Sequence, residues 1–139
     1  MSTYSGRFEI DTEGETDIID ITQEVETIVK DSRITSGLVT VWVAGSTAGI
    51  STIEYEGGLI DDLRVLYEKM APRHANYSHN LRWHDGNGYA HIRASMTGQG
   101  LTIPIVNGIL VRGTWQQIIL VDFDNRPRKR EVTVQVVGE

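Results

Sequence analysis

Residues 77–117 read YSHNLRWHDGNGYAHIRASMTGQGLTIPIVNGILVRGTWQQ, and the parsing of this stretch decides the fold. From Tyr89 onward it reads as β structure. Residues 90–96 (AHIRASM) alternate, residues 100–106 (GLTIPIV) follow, and Asn107-Gly108 parts two apolar segments where both residues tolerate positive φ. That pair signals a two-residue hairpin. Pro104 has no N–H to give a ladder, so its strand is expected at an edge or a bulge. Residues 117–124 (QIILVDFD) and 130–138 (REVTVQVVG) extend the β run, and the turn residues Asn125, Arg126 and Pro127 between them predict a further hairpin.

Toward the N-terminus the pattern changes. Residues 4–11 (YSGRFEID) alternate loosely and predict a strand, followed by the polar loop TEGET. Ile21, Val25, Ile28 and Val29 then recur at helical spacing, with Asp20 and Gln23 placed as a capping box. In residues 38–45 (LVTVWVAG) Val39, Val41 and Val43 fall on one side and Leu38, Thr40 and Trp42 on the other. Both sides are largely apolar, which predicts a central strand covered on both faces. A second helix carries Leu59, Leu63, Leu66, Tyr67 and Met70 as its stripe, with Asp61 and Asp62 near its N-terminus and Pro72 ending it. Two main helices and a run of antiparallel strands make an α+β domain spanning residues 1–139.

Composition narrows the chemistry. The 139-residue chain has no cysteine, so disulfides, thiolate metal sites and a cysteine nucleophile are excluded, and any transition metal must be held by His, Asp or Glu. Thirteen basic residues against nineteen acidic ones argue against nucleic acid as a partner. There is neither a basic-then-apolar leader nor an apolar run long enough to span a bilayer, so the expectation is a cytoplasmic protein without a membrane partner. Arg126, Arg128, Lys129 and Arg130 form a basic run that reads as a solvated turn.

The residues able to do chemistry cluster near the opening stretch. His79 and His91 read equally as ligands or catalytic groups and as hydrogen-bonded structural histidines, because their spacing fits no closed motif. His84 reads as a loop residue and His74 as solvated. Gly45-Ser46-Thr47 is either a place where backbone approaches a ligand or a tight turn capped by its hydroxyls. Trp115 reads as core, and its removal would then cost about 3–5 kcal/mol.

The segments GLVTVWVAGSTAGISTIE, YSHN, AHIRASMTG, IPIVNGILVRGTWQQI and REVTVQVVGE together resemble the YjbQ-like proteins, small α+β domains. The resemblance covers nearly the whole chain. It implies a homotrimer with secondary thiamine-phosphate synthase activity, the joining of a hydroxymethylpyrimidine diphosphate to a thiazole phosphate. Members carry three histidines, in His-Thr-Thr-Ala-Ala, Tyr-x-His and Ala-His segments. His79 and His91 match the last two, Glu54 matches the acidic residue closing the first, and Gly45 stands where the first histidine would be.

The resemblance therefore implies catalytic roles for His79, His91 and Glu54, and a divalent metal, zinc or magnesium, on His79 and His91 with Glu54 or His84 completing it. A histidine at position 45 would be expected to strengthen that centre. Ser46, Thr47, Arg93, Arg112, Thr114 and Gln116 are the implied contacts to a small phosphorylated metabolite, the arginines facing the departing diphosphate. The alternative is a trimeric protein that captures a small anionic or aromatic metabolite without transforming it.

Overall fold

In the computed structural model, which describes residues 1–139, the long N-terminal strand β1 (Ser2–Thr12) leads to β2 (Asp17–Asp20) and helix α1 (Thr22–Ser32). Then come β3 (Ser36–Val43), β4 (Ala48–Ile53) and three successive helices, α2 (Gly57–Met70), α3 (Ser78–Trp83) and α4 (Gly88–Thr97). The chain ends in β5 (Gly100–Val106), β6 (Ile109–Leu110), β7 (Gln117–Asp122) and β8 (Arg128–Gly138). One sheet has the order β1-β8-β3-β5-β6 and the other β2-β7-β4. Every pairing is antiparallel, so the fold is α+β.

Two apolar clusters hold these layers together. In the larger, Val39, Val41 and Val43 of β3 and Val132, Val134 and Val136 of β8 meet Ile118 and Leu120 of β7 and Val25 and Val29 of α1. In the smaller, Ile119 and Val121 of β7 meet Tyr89, Ala90 and Ala94 of α4, with Leu63 and Tyr67 of α2 packed against them. Successive residues of β7 thus point into different clusters, and β7 is the strand covered on both faces. The sequence assigns that place to β3. In the structure the second face of β3 lies open, with Leu38 52 % and Trp42 51 % exposed.

The largest departure from the sequence-based parsing is α4. Residues 90–96 alternate, yet the buried side chains of this segment are Tyr89, Ala90, Arg93 and Ala94, a helical period. Alanine is the strongest helix former, and Ala90 and Ala94 one turn apart present a smooth face to the sheet. The second departure is that β7 and β8 lie in different sheets, so the turn between them is a crossing between layers and not a hairpin.

Local signals explain most other ends. Asn107 (φ 53°) and Gly108 (φ 76°) form the expected turn between β5 and β6. Pro104 lies just outside that two-residue pairing. Glu56 caps α2 by accepting from the Gly58 and Leu59 N–H groups. At α1 the capping box does not form; Asp20 accepts from the N–H and hydroxyl of Thr22, one residue short of the position Gln23 would need.

Candidate functional site

The three short connections at one end of β4 and β7 carry the polar interior of the molecule. Asp122, fully buried at the end of β7, accepts four hydrogen bonds: from Thr12 Oγ1 (2.6 Å), the Asp124 N–H (3.0 Å), and Arg130 Nε and Nη2 (2.7 and 2.8 Å). Arg130 Nη2 also donates to Thr47 Oγ1 at 2.7 Å, and Thr47 Oγ1 donates to Asp124 Oδ2 at 3.2 Å. Asp124 further accepts from Asn87 Nδ2, the Asn125 N–H and Arg128 Nη1. Burial alone would raise the Asp124 pKa; the bonds from Asn125, Asn87 and Thr47 and the Arg128 charge outweigh it and hold it below the ordinary carboxylate range. Arg130, expected on a solvated turn, is only 3 % exposed.

Two histidines stand against this network. His79 on α3 and His91 on α4 have ring centroids 4.3 Å apart at an interplanar angle of 39°. The loop between their helices is tied to the crossing segment by Asn125 Nδ2, which donates to the Asp85 carbonyl at 2.8 Å. Asp85 Oδ1 lies 3.6 Å from His79 Nδ1, close enough for a charge to be felt but too far for a hydrogen bond. His79 Nδ1 and Asn87 Oδ1 are therefore buried polar atoms with no partner. Orphans of this kind are rare and costly.

Burial lowers the proton affinity of His91 below that of an ordinary imidazole, and the neighbouring His79 adds to the effect, while Asp85 and Asp124 pull the other way. The sign of the consequence is definite. Between the folded pKa and about 6.5 the unfolded chain binds a proton at His91 that the fold resists, so stability falls as pH drops through that window and levels off below it. Melting should come earlier at pH 5 than at pH 7, and His91→Asn should remove the part of the loss lying above the carboxylate range. An unchanged pH profile in His91→Asn would show that this ring titrates as it does in water.

The other implied residues are placed elsewhere. Thr47 is inside the network and Ser46 is exposed beside it. Glu54 follows the opposite end of β4 and lines a separate cleft of about 310 Å3 with Asp20, Tyr55, Glu56, Trp115 and Gln117. Arg112, Thr114 and Gln116 belong to that far end too: Arg112 pairs with Glu26 at 2.7 Å, and Gln116 Nε2 donates to Thr52. Arg93 is 4 % exposed, and its nitrogens are spent on the Ala71 carbonyl, Thr16 and Glu68. It braces the helical layer and faces no opening. His84 is exposed as the left-handed residue ending α3.

No three His, Asp or Glu side chains converge in metal-binding geometry. The donor set of His79 and His91 therefore does not fit a closed zinc or magnesium centre. Nor is position 45 ready for a third imidazole. Gly45 has φ +115°, and a Cβ there would lie 2.8 Å from Arg130 Nη1.

Trp115 is 71 % exposed, not core. Trp115→Ala is accordingly expected to change stability by less than about 0.5 kcal/mol, as read by urea denaturation. A loss near the core value would mean the ring is covered in solution.

A family model described as UPF0047 protein YjbQ-like matches residues 6–139. The chain belongs to this family. A UPF0047 protein of Methanothermobacter thermautotrophicus is 34 % identical over 139 residues, covering 100 % of this chain and 95 % of its relative. Among solved structures, a YbjQ-like protein of unknown function from Sulfolobus solfataricus has a TM-score of 0.95 at 36 % identity, with 99 % of each chain covered. A hypothetical protein from Aeropyrum pernix has a TM-score of 0.91 at 32 % identity, with 100 % of each covered. No helix of this YjbQ-like chain is long and apolar enough to cross a membrane.

Proposed function

We propose that this chain is a cytoplasmic transferase of the secondary thiamine-phosphate synthase type, with His79 and His91 as its proton-transfer groups. One observation carries the reading: the two imidazoles are in ring contact, and the buried Nδ1 of one lacks any partner. Two rings this close cannot both be charged without strong repulsion, so at most one is charged at a time, and the proton-donating form of the pair has one ring protonated. In the reaction, a carbon–nitrogen bond forms between the pyrimidine methylene and the thiazole ring as the carbon–oxygen bond to diphosphate breaks. The pair gives its proton to the departing oxygen, which lowers the charge that must develop there. No step is assigned to a metal, because the donor set fits no closed centre. The test is to supply purified protein with the two phosphorylated halves and follow thiamine phosphate by chromatography. Binding of either half without product would favour the capturing, non-catalytic alternative.

The assembly belongs to the same proposal. Leu38, Trp42 and Val106 lie exposed on the outer face of the five-stranded sheet, and Pro104 opposite Leu38 continues it. An apolar sheet face of this kind is normally covered, and a homotrimer supplies the cover. Sedimentation equilibrium at micromolar concentration should give three times the chain mass; a monomer would end this part of the proposal.

A further inference from the structure

We infer that Arg130 is the phosphoryl-recognition group of the site, reaching its ligand through the opening beneath Gly45. Three of its features point there. First, the guanidinium is divided in its duties. Nε and Nη2 are committed to Asp122 and Thr47, whereas Nη1 makes no hydrogen bond within the chain. Second, Nη1 is not sealed in. The buried side-chain atoms lacking partners are His79 Nδ1 and Asn87 Oδ1, so Nη1 keeps a path to solvent although the residue as a whole is 3 % exposed. Third, that path is kept clear by the backbone: Gly45 is exposed, and a Cβ on it would sit 2.8 Å from Nη1. A buried, immobile cation with one free nitrogen under a side-chain-free turn is built for an anion that approaches from outside.

The class of anion follows from the donors that remain. A carboxylate is best held by the paired nitrogens of a guanidinium fork, and here that fork is already filled by Asp122. What is left is Nη1 under Gly45, with Ser46 exposed at the next position of the turn and Arg128, held to Asp124 by one nitrogen only, on the carboxylate that also lies 3.9 Å from Arg130 Nη2. Donors arriving singly from different directions suit the tetrahedral oxygens of a phosphoryl group. The Asp122 carboxylate balances the Arg130 charge and fixes its plane, so the arginine is oriented before the ligand arrives and loses no freedom on binding. This narrows the proposed function to a site whose phosphoryl end lies at Gly45, and it rests on that reading only in placing the site at this end of the molecule.

The experiment is a titration of the full-length protein with inorganic phosphate, followed by the nitrogen-15 resonance of the Arg130 Nε–H, whose exchange is slowed by its bond to Asp122. The expected result is a saturable shift at millimolar phosphate, weaker with acetate and absent with chloride at equal ionic strength. Gly45→Ala, which places a methyl against Nη1, should weaken phosphate binding tenfold or more. No saturable shift at Arg130, an equal shift with chloride, or saturation seen only at Arg112 or Arg7 would overturn the inference, as would unchanged affinity in folded Gly45→Ala. Should the positive φ prevent that variant from folding, the wild-type map decides alone. Phosphate binding at Arg130 without thiamine phosphate formation would leave the inference standing and remove the transferase; turnover without a response at Arg130 would do the reverse.

Discussion

Asp122→Ala is expected to destabilise the fold by about 3–5 kcal/mol, because it leaves a buried guanidinium without its counter-charge. Asp122 is inaccessible to solvent and accepts from Thr12 on β1, Asp124 in the crossing segment and two nitrogens of Arg130 on β8. Removing the carboxylate strands the Asp124 N–H and Arg130 Nε, and leaves Arg130 Nη2 only Thr47 and Thr12 Oγ1 only the Arg128 carbonyl. The loss is far larger than the net worth of the pair, since most of it is the penalty of an unpaired buried charge. Asp122→Asn keeps the volume and one acceptor oxygen, so it should lose less than the alanine variant. Arg7→Ala, which removes an exposed pair with Glu131 at 3.8 Å, should fall within about 0.5 kcal/mol of wild type. Urea denaturation of the three variants measures the ranking. A change under about 1 kcal/mol for Asp122→Ala would mean that water enters the network and solvates Arg130.

That network was invisible in the sequence for a reason that applies widely. A run such as Arg126 to Arg130 beside Pro127 has the local chemistry of a solvated turn, and only the two-residue alternation of the strand it opens, with Arg130 in phase with Val132, Val134 and Val136, says that Arg130 faces inward. Its partners include Thr47, eighty-three positions away, and the pairing exists because β7 and β8 belong to different sheets and the chain must cross between them there. The same crossing defeated the hairpin expectation. The residues that mark it, Asp122 and Asp124 at the end of an apolar strand, look like ordinary strand-terminating polar residues.

Where neighbours in sequence decide the outcome, the fold was legible. Asn107-Gly108 specifies its turn through φ, and the alternation of Val39, Val41 and Val43 specifies which face of β3 is inside. Residues 90–96 show the limit of period counting. Ala90, Ile92, Ala94 and Met96 alternate as a strand would, and only the burial of Arg93, with Ile92 and Met96 left exposed, reveals the helix. Arg93 can be inside because Thr16, Glu68 and the Ala71 carbonyl satisfy it, again through contacts remote in sequence. The histidine pair had no local signature either. Family resemblance singled out His79 and His91, and the unforeseen helices α3 and α4 are what bring their rings together.

His91→Ala is expected to lower formation of thiamine phosphate roughly 10²–10⁴-fold, the usual contribution of a positioned proton donor. The same change should cost the fold only about 1 kcal/mol, because His91 is half-buried and makes no side-chain hydrogen bond whose loss would strand a partner. Two further readouts separate catalysis from structure. The working form of the pair has one ring protonated, and burial, with the neighbouring His79, keeps the proton affinity of His91 below the ordinary imidazole range. Wild-type turnover should therefore fall as pH rises through that range, and the residual rate of His91→Ala should lose this dependence. The second readout is coupling. If the two rings share one proton they act as a unit, and His79→Ala combined with His91→Ala should be no slower than the slower single variant. Losses that simply multiply, or a pH profile that survives in His91→Ala, would place the proton donor elsewhere and leave the histidines as packing for the α3–α4 joint.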